Sequence, residues 1–296
     1  MTATPPVVEG TPLHIHVIEK GSNNQLFMST LGAGTGAVYD PNQNNVVSIS
    51  LGQADSMVYH DNAMYMGVYP KAYVHKYDQN REPGKGNPSQ FLQVDPETHQ
   101  DRLIEATSGG GCIYFGSVSA YGVNGGAVTI IDPSAYAENQ TGVKVNVVQD
   151  QSVVGLAYKD GIIFGSTNIN NGLGSNPTAA ALFGSKLIAI DPVTLEYRDV
   201  TSAYSFTIGD DGYLYFSDGS DRTFLSRIHI GTKVTIPEDV DGNVTVDHHD
   251  IRLVARHIGK EPVGELRKLD VNQEGKINAE DVRRVTAKMN KDRKQK

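Results

Sequence analysis

The chain is poor in the features that usually announce a function. It has one cysteine in 296 residues, so no intramolecular disulfide holds it together. That residue, Cys112, lies inside an apolar run and reads as a small buried hydrophobe rather than a reactive thiol. No apolar run approaches the ~20 residues that a membrane-spanning helix needs. Met1–Thr11 has neither the basic nor the apolar segment of a secretory signal. Neither a Gly-x-Ser-x-Gly elbow nor a His-Glu-x-x-His pair occurs. Positive charge is also scarce. The net charge of -8 argues against non-specific nucleic-acid binding and favours solubility or cation binding. Ten of the 26 Lys and Arg residues fall between Arg267 and Lys296, so the preceding chain is more acidic than the total implies.

What the chain does have is repetition. A short apolar strand ending in a small residue recurs five times, as Gln25–Ser29, Ala63–Gly67, Cys112–Gly116, Gly161–Gly165 and Tyr213–Ser217. The last residues are 38, 49, 49 and 52 apart. Near-continuous apolarity predicts strands buried on both faces. Four copies are followed by a second strand ending in Asp: Tyr39-Asp40, Tyr77-Asp78, Ile131-Asp132 and Ile190-Asp191. Pro follows three of these, and Asp-Pro reads as a turn. Such a period, with several strands in each repeat, is the signature of a β-propeller. Four strand candidates per repeat predict five four-stranded blades over residues 14–236, after an unstructured lead at 1–13. The same five blades could also be part of a larger ring.

The loops after the repeated strand grow along the chain, from Val68–Ala72 to Ser117–Gly126 and Ser166–Ser185, the last rich in Asn and Gly. A Gln recurs where the chain enters three of the blades, as Gln53, Gln100 and Gln151, spaced 47 and 51. With Asp55, Asp101, Arg102, Asn168 and Asn170, these form a candidate binding face. The alternative is that the Gln side chains only satisfy backbone groups. Catalytic residues are not identifiable here. Arg102, His99, Tyr69 and Tyr121 could serve a polysaccharide lyase, and Asp55 with Asp101 a glycosidase, but neither set has a diagnostic spacing.

The C-terminal stretch is more specific. Asp270, Asn272, Glu274, Asn278 and Asp281 occupy positions one, three, five, nine and twelve of a calcium loop, and Lys276 at seven would offer its carbonyl. Gly275 at six permits the sharp turn and Ile277 at eight anchors the loop. Asp281 opens a helix with Val282, Val285 and Met289 on its apolar face. An earlier copy, 31 residues back, places Asp239, Asp241, Asn243, Asp247 and Asp250 at the same positions, with Thr245 at seven. Its helix carries Ile251, Val254 and Ile258 on one face. Val244 replaces Gly at position six, which predicts the weaker site.

This duplicated loop–helix unit, over about 237–290, resembles a type I dockerin. The resemblance implies an all-α module that binds Ca²⁺ and a cohesin-like domain or another extracellular protein. It implies partner contacts at His248 and His249 in one copy and Ala279 and Glu280 in the other. Residues 291–296 read as a solvated basic tail. Weak calcium sites fill only in extracellular fluid, so the resemblance implies export, with the start of the protein missing from this chain. The expected function is an extracellular, dockerin-bearing propeller that binds or degrades polysaccharide as a hydrolase or lyase. A non-enzymatic cell-surface platform and a cytosolic repeat scaffold are the alternatives.

Overall fold

The repeated apolar strand becomes the second strand of five antiparallel sheets. A computed structural model describes residues 14–293 apart from 33, 85, 135–140, 146, 170–171, 177, 179–183, 219–223, 231–236 and 242–245. Two compact units divide the chain at Ile230 and Gly231.

In the first unit, the first sheet is β1 (Ile15–Lys20), β2 (Leu26–Thr30), β3 (Thr35–Asp40) and β4 (Asn45–Ser50). The second is β5 (Gln53–His60), β6 (Ala63–Tyr69), β7 (Tyr73–Asp78) and β8 (Ser89–Gln93). The third is β9 (Gln100–Gly109), β10 (Cys112–Ser119), β11 (Ala127–Ile131) and β12 (Thr141–Val145). The fourth is β13 (Ser152–Lys159), β14 (Ile162–Asn168), β15 (Leu187–Ile190) and β16 (Tyr197–Thr201). The fifth holds three strands among the described residues: β17 (Ala203–Ile208), β18 (Tyr213–Asp218) and β19 (Phe224–His229). The fourth strand predicted there, Lys233–Ile236, lies outside the described residues, as do the lead at 1–13 and the last three residues of the tail.

Neighbouring sheets meet through their first strands, β1 against β5, β5 against β9, β9 against β13 and β13 against β17, as the blades of a propeller do. Side chains alternate along a strand, so a strand between two neighbours feeds two cores. Met64 and Met66 pack with Phe27 and Val38 of the first sheet, whereas Tyr65 packs with Leu103, Ile113 and Phe115 of the third. Tyr114 then faces the fourth sheet, beside Ile163 and Ile188. The small residue that closes the motif has a steric cause. A Cβ on Gly67 would stand 2.5 Å from Cβ of Leu103, because the next sheet's first strand crosses there.

The fourth sheet departs from the sequence alignment of the repeats. There the middle residue of the motif, Ile163, faces the preceding sheet, while Ile162 and Phe164 face the fifth with Leu214 and Phe216. This is a one-residue slip, and period-two alternation makes any such slip exchange the faces. Both faces are apolar, so the core tolerates it.

The second unit holds α1 (His248–Ala255) and α2 (Ala279–Arg293), with a 3₁₀ segment at Gly264–Leu269. Its core repeats with the 31-residue spacing of the sequence: Val240 with Val271, Val246 with Ile277, Val254 with Val285, all buried. The expected continuation of this pairing to Ile258 and Met289 fails. Met289 is buried on α2, but α1 ends at Ala255 and Ile258 is 48% exposed. The chain turns instead at Gly259 (φ +85°), whose N–H donates to the Ile277 carbonyl at 2.8 Å.

Candidate functional site

Antiparallel pairing places the end of each second strand beside the start of the first: Gln53 opposite Tyr69, Gln100 opposite Ser119, Ser152 opposite Asn168. The lengthened loops therefore leave from the end of the sheets where the recurrent Gln residues stand.

The three Gln residues have structural work at that end. Gln100 donates to the Thr98 carbonyl at 2.8 Å and accepts from Ser117 Oγ at 2.6 Å. Gln151 repeats this in the next sheet, donating to the Gly184 carbonyl at 3.0 Å and accepting from Thr167 Oγ1. Both are buried, so their spacing in the sequence records how a strand start is tied to its neighbour. Gln53 accepts from Gly32 N–H and donates to Asp55 Oδ1 at 2.9 Å. Asn168 is buried, and Asn170 lies outside the described residues.

Asp55 is the hub of this end. Its side chain is 1% exposed and joins three sheets. It accepts from Arg102 Nε at 2.7 Å and Nη2 at 3.0 Å, and His16 Nε2 lies 3.0 Å from Oδ1. The paired hydrogen bonds to Asp55 hold the Arg102 pKa above its ordinary value. The guanidinium also lies over the Tyr69 ring, 5.3 Å from its centroid. The neighbouring Tyr121 hydroxyl is the main cause holding the Tyr69 hydroxyl pKa above its ordinary value. Asp101 accepts the Lys71 N–H at 2.7 Å. Sequence reasoning missed His16, Ser117 and Thr167; the recurrence of Gln100 and Gln151 was the one signal for Ser117 and Thr167, and none pointed to His16.

This geometry bears on chemistry. A lyase needs a cation able to take a substrate carboxylate, but Arg102 is engaged edge-on by Asp55. A glycosidase needs two carboxyls facing a bond, but Asp55 and Asp101 are occupied by separate donors.

The second unit presents two matched loops. Asp250 and Asp281, both fully buried, are the corresponding last residues. Asp250 accepts the Asp241 N–H at 3.1 Å and the Asp247 N–H at 2.9 Å. Asp281 accepts the Asn272 N–H at 3.2 Å and the Asn278 N–H at 2.9 Å. Asp247 and Asn278 cap the two helices, accepting from His249 N–H at 2.6 Å and Glu280 N–H at 2.7 Å. Asp270 accepts from the N–H groups of Glu274 and Gly275, and Gly275 makes its turn at φ +87°. Glu274 also pairs with the Asn278 amide.

In the first loop, carboxylate oxygens of Asp239, Asp241 and Asp250 lie within 4.8 Å of one another. An all-oxygen set of this kind fits a hard cation such as Ca²⁺. Asn243, Val244 and Thr245 lie outside the described residues. His248, His249, Ala279 and Glu280 are all exposed, on the first turns of α1 and α2.

Residues 237–290 match the model of the dockerin type I domain. No curated protein sequence matches the chain. Among solved structures, the chain is similar to a streptogramin B lyase at 12% identity and TM-score 0.51, covering 74% of this chain and 66% of that one. It is similar to hydrazine synthase of Kuenenia stuttgartiensis at 11% identity and TM-score 0.51, covering 69% and 61%. A third, U3-55K, gives 10% identity and TM-score 0.52, covering 76% and 64%. The chain thus spans less than two thirds of the length of first, second and third alike, and identities this low speak to the fold alone. Fold and loops together define the class: a β-propeller followed by a type I dockerin module. Dockerin domains in general bind calcium and cohesin. No helix among the described residues is long and apolar enough to cross a membrane.

Proposed function

We propose that this chain is an extracellular propeller tethered through a calcium-dependent dockerin to a cohesin-like partner, and that the propeller binds polysaccharide. The observation that carries the tether is the matched pair of loops, in which Asp250 and Asp281 make the same two backbone contacts 31 residues apart. Asp239, Asp241, Asp247 and Asp250 would hold one ion. Asp270, Asn272, Glu274, Asn278 and Asp281, with the Lys276 carbonyl, would hold the other. Bound calcium supplies the charge that lets these carboxylates stay close. A module this small has little core to stabilise it without such a clamp.

His248 and His249 differ chemically from Ala279 and Glu280, so the two copies present unlike surfaces to a partner. For the propeller, the engagement of Arg102 and Asp55 with each other favours binding over bond cleavage. The test is capture of the full chain on an immobilised cohesin module. Capture in calcium, lost in chelator and in the Asp250→Ala/Asp281→Ala double variant, is expected. Capture indifferent to calcium would remove the basis of the tether.

A further inference from the structure

The same end of the propeller also carries information about the charge of its ligand. Tyr121 is 66% exposed, an unusual position for a large ring, yet its loop is well fixed. On one side Ala120 N–H donates to the His99 carbonyl at 2.8 Å, and on the other Gly122 N–H donates to the Leu173 carbonyl at 2.8 Å. Ser119 Oγ holds the turn by donating to the Val123 carbonyl at 2.6 Å. The two long loops approach so closely that a Cβ on Gly172 would stand 1.8 Å from the Ala120 carbonyl oxygen. Leu173, from the second loop, is 73% exposed near by. An exposed aromatic on a fixed loop is already ordered before it binds, which is how stacking surfaces keep the entropy of binding low.

The charge beside Tyr69 is compensated at its largest group, because Arg102 is matched by Asp55. The guanidinium keeps 38% of its side chain exposed, so it can still donate to a hydroxyl. A sugar carboxylate would gain little there, because the charge that should attract it is neutralised at 2.7 Å by Asp55.

Building on the polysaccharide-binding reading above, we infer that Tyr121, Tyr69 and the Arg102–Asp55 pair form a subsite for an uncharged glycan. A sugar ring would stack on Tyr121 while its hydroxyls accept from Arg102.

Affinity electrophoresis of the calcium-loaded full chain tests this, with a neutral β-glucan, a neutral galactomannan and polygalacturonate as probes. Retardation by a neutral polymer is expected, unaffected by added salt and weakened about tenfold or more by Tyr121→Ala, as loss of one stacking contact implies. Tyr121 is exposed, so the variant should fold. Salt-sensitive retardation by polygalacturonate alone, lost in Tyr121→Ala, would overturn the uncharged assignment while leaving the site in place. Neutral binding that ignores Tyr121→Ala would overturn the location. Retardation by none of the three would overturn the polysaccharide reading along with the subsite.

Discussion

Replacing Asp55 with Ala should destabilise the propeller and leave the dockerin module unaffected. The carboxylate is 1% exposed and accepts two hydrogen bonds from Arg102, at 2.7 and 3.0 Å, and one from Gln53 at 2.9 Å. Removing one partner of a fully buried ion pair costs about 3–5 kcal/mol, chiefly by stranding the other charge. Arg102 keeps 38% of its side chain in contact with water, so part of that loss is recovered through hydration. The expected cost is therefore about 2–3 kcal/mol, a roughly 30- to 150-fold shift in the unfolding equilibrium. Asp55→Asn keeps one acceptor and loses the charge, and should cost about half as much. The assay is urea unfolding of the full chain in saturating calcium, followed by tyrosine fluorescence and far-ultraviolet circular dichroism. A double-mutant cycle with Arg102→Ala should show that most of the Asp55→Ala cost depends on Arg102. A cost below about 0.5 kcal/mol, the scatter of ordinary surface substitutions, would refute the hub.

Two further outcomes follow from the propeller. Burial pushes the Glu105 pKa up to about 7, above the ordinary value of 4.5, so the folded state holds its proton where the unfolded chain has lost it. Its stabilising contribution is full below pH 4.5 and is lost as pH rises through about 7, a change of about 3 kcal/mol. Glu105→Gln should flatten the stability profile across that window and raise stability above it; an unchanged profile would contradict the assignment. Gly67→Ala forces a Cβ to within 2.5 Å of Cβ of Leu103 and should lower propeller stability by about 1–3 kcal/mol in the same urea assay, by overpacking. A neutral result there would mean that the second and third sheets are not in close contact.

Much of the fold was legible because two periodicities are strong. The apolar strands Met64–Met66 and Ile113–Phe115 are buried on both faces, as near-continuous apolarity requires. The 31-residue repeat located both helices, which start two residues before the Asp250 and Asp281 that the pattern set at their openings, capped by Asp247 and Asn278. What was not legible depended on relations between strands. The motif at Ile162–Gly165 aligns by sequence with Ile113–Gly116, but its faces are exchanged, and an apolar run hides a one-residue slip. Gln100 and Gln151 stood out through their spacing, yet spacing alone could not distinguish a ligand contact from the Ser117 and Thr167 bonds that hold them. His16 joins Asp55 across 39 residues, a pairing that no local pattern encodes. Ile258 was placed on a helix face by periodicity, which took no account of the turn at Gly259.

Calorimetric titration of calcium into the full chain, after the ion has been stripped by chelator, tests the account's main functional claim most directly. Two binding events are expected, with a gain in helicity, since metal binding in such a module appears as folding free energy. The loop with Gly275 should bind more tightly than the loop with Val244. Asp281→Ala should abolish the tighter event and Asp250→Ala the weaker, because each removes a fully buried carboxylate that also orders its loop. Asn278→Ala should cost the tighter site less than Asp281→Ala. No heat and no gain in helicity would contradict the calcium-dependent tether, whatever the propeller binds.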